Sequence, residues 1–212
     1  MMIKIKSLLI ICLFILGISC SQDKKSDITY QFQDMPYPVE CSAYSGGQDA
    51  IDPDLLKEAV WSFQNDITNY YGRDYGGFIR KDLATGFREF VWGGLDGVAR
   101  YQEIASPHSW MLLEELKKVE GLWNPDGIRS NLNYDHPLMQ CLQDNFKHEE
   151  IKEVYDKLDQ ANSLGPKVLR PIMTKHTLRF VEDPYLATYL AFDGFYNYLY
   201  DLERPKQPQT DE

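Results

Sequence analysis

Four histidines, His108, His136, His148 and His176, are the first side chains to weigh for metal or proton chemistry. No two of them form the HExxH pair that sets two zinc ligands on one helical turn. His136, Cys141 and His148 share a region, but their spacing does not bring all three to one helix face. His108 and His136 stand beside prolines that open helices, where polar residues serve as caps. Asn131, Asn133 and Asp135 offer oxygen at alternate positions, as calcium loops do. The positions where such a loop needs glycine and glutamate hold His136 and Leu142 instead. A polar turn ahead of a helix accounts for them, so the expectation is no metal and no cofactor.

For hydrolysis the chain has no GxSxG elbow. Carboxylates are abundant because the chain is acidic, so abundance alone selects none. Glu89 and Glu103 flank a glycine-rich segment and form one candidate pair. Asp193 interrupts an aromatic stretch and is a possible buried acid with a raised pKa. Asn197 and Asp201 follow it at i+4 and i+8, so the three also fit the wet stripe of a helix, which is the plainer expectation. In the stretch YYGRDYGG, Tyr70, Tyr71 and Tyr75 could stack on a sugar or lipid, with Arg73 and Asp74 fixing a polar group. The alternative is a tyrosine-rich loop packed on its own domain.

The cysteines carry the clearest chemical message. Lys4 and Lys6 precede an apolar run from Ser7 to Ile18, and Gly17-Ile18-Ser19-Cys20 ends it. The uncharged run is short for a membrane-spanning helix, which needs about 20 apolar residues. This segment resembles the signal and lipobox of bacterial lipoproteins, with Gly17 where that box usually has Leu. The resemblance covers about the first twenty residues. It implies cleavage before Cys20, acylation of its thiol, and a water-soluble domain held to a bilayer by lipid. Two or more acyl chains, at about 0.8 kcal/mol per buried methylene, anchor stably where one does not. Cys12 would leave with the signal. Cys41 and Cys141 remain, either as a disulfide, which persists in exported proteins, or as two separate thiols.

The full chain carries 22 basic and 32 acidic residues, a net −10. Loss of Lys4 and Lys6 with the signal leaves −12. So acidic a surface repels phosphate backbones and argues against nucleic acid. Hydrophobic residues at 43% and aromatics at 13% are ample for a packed core.

Helices must position these groups, and the chain signals them in one recurrent way. Asp52-Pro53, Ser106-Pro107 and Asp183-Pro184 each set a capping acceptor before a proline at the first helical position. His136-Pro137 is a near variant. Apolar residues at helical spacing follow each: Leu56, Val60, Phe63, Ile67 and Tyr70 after the first, Leu112, Leu116, Val119 and Trp123 after the second. Glu114 and Lys118 read as an outward pair on that second helix. A further helix follows His148 and closes at Gly165-Pro166; Pro171 breaks the segment after it. Residues 83–104 fit a helix, with Val98 on its apolar face and Gly86, Gly93 and Gly97 in a smooth stripe. They also fit a hairpin. The missing apolar–polar alternation favours the helix, and the glycines favour the hairpin. YYGRDYGGF reads as a loop either way. Residues 184–202 are apolar on nearly every side and belong inside the bundle.

The expected organisation is a signal peptide over 1–19, a lipidated cysteine and tether over 20–50, a helical domain over 51–203 and a polar tail over 204–212. The expected fold is all-α or mainly α, a single irregular bundle of about five to seven helices. The expected role is non-enzymatic binding or scaffolding at a bacterial cell envelope, on the outer membrane where there is one. The partners would be the membrane, through lipid, and an envelope protein or glycan. A glycan hydrolase using paired carboxylates and a carrier of small apolar ligands are the alternatives.

Overall fold

The four proline-preceding caps all open helices in the computed structural model of the chain. It describes residues 28–41, 51–75, 78–80, 82–124 and 126–205. Cys20 and the lipobox lie outside the described residues. Helix α1 (Pro53–Tyr70) starts where the Asp52 carboxylate accepts the Asp54 N–H. Ser106 accepts from Ser109 at the head of α4 (Pro107–Leu116). His136 Nδ1 accepts from Leu138 at the head of α5 (Pro137–Asp144). Asp183 accepts from Tyr185 and Leu186 at the head of α9 (Pro184–Leu190). Between these lie α2 (Leu83–Gly94), α3 (Tyr101–Ile104), α6 (Glu149–Gln160), α7 (Pro166–Lys175) and α8 (Arg179–Glu182). Beyond α9 the helix runs on through a π-helical segment, Ala191–Tyr196, and one more α turn, Asn197–Leu199. The fold is thus mainly helical, and none of its described helices is long and apolar enough to cross a membrane.

Several local expectations need correction. The stretch read as a loop contains a short antiparallel hairpin, β1 (Arg73–Tyr75) and β2 (Phe78–Arg80), with Arg73 opposite Arg80. Residues 83–104 are neither one long helix nor a hairpin. The chain turns after Gly94 through Gly97, whose φ of +77° favours glycine. Val98, placed on the apolar face, is therefore exposed. Gly86 does allow close approach, since a Cβ there would sit 3.2 Å from the backbone of Ile67 on α1. Helix α4 stops at Leu116, so Lys117 and Lys118 pair with Glu114 and Glu115 at 3.1 and 2.6 Å, and Glu114 does not pair with Lys118. Helix α6 ends at Gln160, and Pro166 opens α7 instead of closing α6. Pro171 lies inside α7.

The helix formed by α9 and its extension is the central one. Tyr189, Phe192, Phe195 and Tyr196 are fully buried. Phe195 meets Phe63 of α1 and Phe90 of α2 at ring distances of 5.2 and 6.0 Å. Burying each such side chain contributes roughly 1.5–3 kcal/mol.

Part of the segment expected to be tether is docked. Residues 28–41 lie along α1 and the head of α9 as a strap. Gln31 and Phe32 N–H groups donate to the Glu58 carboxylate. Trp61 Nε1 donates to the Pro36 carbonyl, and the Tyr37 and Thr188 hydroxyls are 2.8 Å apart. A disulfide between Cys41 and Cys141, with Cα atoms 5.6 Å apart, fixes the far end to α5.

Candidate functional site

Two polar constellations stand out, one sealed and one open. The sealed one lies between α1 and α4. Glu58, Ser62 and Asp66 recur every four residues and so share a stripe of α1. Each meets a polar partner from α4 or its cap. Glu58 Oε1 is 2.6 Å from His108 Nε2, the Ser62 and Ser109 hydroxyls are 2.7 Å apart, and Ser109 donates to Asp66 at 2.6 Å. Ser106 N–H donates to the same carboxylate at 2.9 Å. All five side chains, Glu58, Ser62, Asp66, His108 and Ser109, are buried, and burial pushes Asp66 above its ordinary pKa against the pull of its serine bonds. The strap closes the Glu58 end. The i,i+4,i+8 spacing of Glu58, Ser62 and Asp66 was visible in the sequence, but it passes equally for an outward face.

The open constellation surrounds a cleft of about 500 Å³ between the loop over 121–136 and the end of α6. Asp126, Asp135 and Asp159 line it together with Asn124, Asn133 and Asn162, Ser130 and Tyr134. The loop earns its shape from backbone pairing. Trp123 and Leu132 form a β-bridge, Asn124 N–H donates to the Asn131 carbonyl, and Asn133 N–H donates to the Leu122 carbonyl at 3.0 Å. Gly127 makes the turn possible, because a Cβ there would fall 2.1 Å from the Ser130 carbonyl oxygen. Arg129 donates to the Asn162 carbonyl and ties the loop to the end of α6. Asn131 N–H donates to Asn197 Oδ1 at 2.9 Å, and the Asn131 amide donates to Asp201 at 2.7 Å.

Asp193 lies directly behind this loop. It is fully buried in the π-helical segment, a geometry that often marks functional sites. Tyr134, on the cleft wall, donates its hydroxyl to Asp193 Oδ1 at 2.6 Å. Asp193 Oδ2 has no partner in hydrogen-bond geometry among the described residues; the Tyr189 hydroxyl stands nearby and, like Tyr134, favours the ionised carboxylate. Burial outweighs both and pushes the carboxyl up from 3.8 to about 7. Asp193 and Asn197 are thus no wet stripe: the loop over 121–136 covers them both, and only Asp201 is exposed.

The other sequence candidates separate. Glu89 is 3.3 Å from Arg88, and Glu103 binds Arg100 and accepts the Tyr70 hydroxyl, so each is engaged beside its own helix. Tyr71 packs against the core, and the side chains of Arg73, Asp74 and Tyr75 lie outside the described ones. The rings of His148 and His176 are 4.1 Å apart, with His176 bound to Glu150. No group of three or more metal-ligating side chains occurs among the described residues. Compared with known protein families, curated proteins and solved structures, the chain matches none.

Proposed function

We propose that this chain is a lipid-anchored protein of the bacterial cell envelope whose helical domain binds a polar, glycan-class ligand without turning it over. The cleft beside Tyr134 carries the reading. Its volume falls within the range of roughly 300–1,000 Å³ common for ligand sites. Its lining of three carboxylates and three amides is rich in hydrogen-bond acceptors, which suits a ligand rich in hydroxyl donors. Ile128, Leu132 and Leu164 also line the cleft, but its polar groups suit a hydroxyl-bearing ligand better than a wholly apolar one. A glycan hydrolase would need two carboxylates facing each other across the scissile bond; the pair first considered for it, Glu89 and Glu103, is taken up by arginines and does not line the cleft, whose own carboxylates are Asp126, Asp135 and Asp159. The lipid anchor rests on the Gly17-Ile18-Ser19-Cys20 box.

Two measurements test the halves separately. Metabolic labelling with a palmitate analogue should mark wild type and leave Cys20→Ala unmarked; equal labelling ends the anchor. Detergent-solubilised full chain on an array of envelope glycans should be retained, and Asp135→Asn with Asp159→Asn should abolish retention. Retention by no glycan ends the binding reading. Release of shortened glycan would show an enzyme instead.

A further inference from the structure

The tip of the 121–136 loop borders two hollows. Residues 127–130 line the cleft of about 500 Å³ and also a second hollow of about 160 Å³, which Asn131, Asn197, Tyr198 and Asp201 complete. On the reading that the cleft is a ligand site, we propose that the second hollow is a further subsite of the same surface. Its ligand is then an uncharged, unbranched glycan chain that crosses the 127–130 ridge with Ile128 beneath it.

A subsite needs fixed walls, and the ridge is tied down on both sides. Arg129 donates to the Asn162 carbonyl, on the wall of the large cleft. Asn131 N–H donates to Asn197 Oδ1 at 2.9 Å, and the Asn131 amide donates to Asp201 Oδ2 at 2.7 Å, both on the side of the second hollow. From within, Gly127 N–H donates to the Asn124 carbonyl at 2.8 Å and Leu132 N–H to Ser130 Oγ at 3.0 Å. Tyr198 is held as well: its hydroxyl donates to the Leu95 carbonyl at 3.1 Å, and its ring stacks on Tyr101 at 5.0 Å. Both hollows are thus formed before any ligand arrives, which spares a ligand the cost of ordering them.

Ile128 stands on this ridge wholly exposed, more so than any other large apolar side chain among the described residues. A lone exposed apolar side chain needs no explanation in itself; its place between two polar hollows is what gives it a use. A sugar ring carries hydroxyls around its edge and C–H groups on its faces. A chain of such rings crossing the ridge sets a C–H face on Ile128 and drops hydroxyls into the hollows on either side. In the large cleft these meet the carboxylates and amides that line it. In the second hollow they meet Asp201, an exposed carboxylate that gives one oxygen to Asn131 and has the other for a ligand hydroxyl. Charge narrows the class. Asp126, Asp135 and Asp159 line one hollow and Asp201 the other, against the single cation Arg129, so an anionic chain is repelled. A ligand confined to the large cleft would leave Asp201 and the far side of Ile128 uncovered.

The experiment uses the detergent-solubilised full chain, labelled with ¹⁵N, and cello- and malto-oligosaccharides as uncharged chains of graded length. In at least one series the hexasaccharide should bind about twentyfold or more tighter than the disaccharide, beyond what the repeated frames of a longer chain give by statistics. The disaccharide should shift amide resonances of Asn124, Asn133 and Asn162; the hexasaccharide should shift those of Asn197 and Asp201 as well. Ile128→Ala and Asp201→Asn alter exposed side chains, and the second keeps an oxygen for the Asn131 amide, so both should fold. Each should lower hexasaccharide affinity about fivefold or more. A hexasaccharide that binds no tighter than the disaccharide, or that binds with the Asn197 and Asp201 resonances unmoved, overturns the second subsite while leaving the cleft a ligand site. No shift from any member of either series overturns both for neutral glycans.

Discussion

Glu58 Oε1 lies 2.6 Å from His108 Nε2 while the same carboxylate accepts the backbone N–H groups of Gln31 and Phe32. One buried side chain thus joins α1, α4 and the strap. Removing a side chain that satisfies buried hydrogen-bond donors leaves each of them unpaired at about 1–3 kcal/mol. Glu58→Ala should destabilise the domain on that scale and raise amide hydrogen exchange at Gln31 and Phe32. Unchanged exchange there would mean that the strap is held without Glu58.

The Cys41–Cys141 bridge closes a loop of 100 residues and fixes the opposite end of the strap. In the chain-entropy model a loop of that length contributes about 4–5 kcal/mol. Replacing both cysteines by serine should lower denaturant stability by an amount of that order. It should also expose residues 33–41 to limited proteolysis, because Val39 and Cys41 are buried there. Stability equal to wild type under oxidising conditions would remove the bridge from the energetics.

Asp193 gives a stability prediction independent of any ligand. Its folded pKa of about 7 lies above the ordinary 3.8, so the folded chain holds this proton to higher pH than the unfolded chain does. Below pH 3.8 both states are protonated and burial of the carboxyl carries no charge penalty. From about pH 4 to 7 stability falls as pH rises, and above 7 the whole cost, about 4 kcal/mol, applies. Asp193→Asn removes this term. Relative to wild type, the variant should gain up to about 4 kcal/mol between pH 4 and pH 8 in paired denaturant titrations. Asp66, also raised by burial, contributes the same sign to both proteins and cancels in the difference. Parallel curves would place the Asp193 titration outside this range.

What could be read from the sequence was local. The caps at Asp52, Ser106 and Asp183 bind N–H groups two or three residues away, so residue type and spacing suffice to see them. The burial of α9 followed from its apolar circumference. Asp193 and Asn197 show the limit. Their i,i+4 spacing is that of a wet stripe, and they are dry because Tyr134 and Asn131, some 60 residues earlier, turn polar groups onto them. The strap is the same case: Glu58 has its partners 26, 27 and 50 residues away. A single sequence shows a polar residue but not the distant one that will cover it.

Gly127 lines the cleft and supplies the sharpest test of it. Any side chain at this position puts a carbon 2.1 Å from the Ser130 carbonyl and 2.9 Å from that of Asn124, both backbone atoms that cannot swing aside. The loop must therefore reopen, and with it the 2.8 Å bond from Gly127 N–H to the Asn124 carbonyl. Arg129 and Asn131 on either side of the turn still tie the loop to Asn162 and Asp201, so the cost should resemble other overpacking, about 1–3 kcal/mol. Gly127→Ala should accordingly keep a wild-type far-ultraviolet circular dichroism spectrum and lose glycan retention. A crystal structure of Gly127→Ala with the 124–131 backbone unmoved, or full retention of glycan by that variant, would show that the loop does not shape the binding surface.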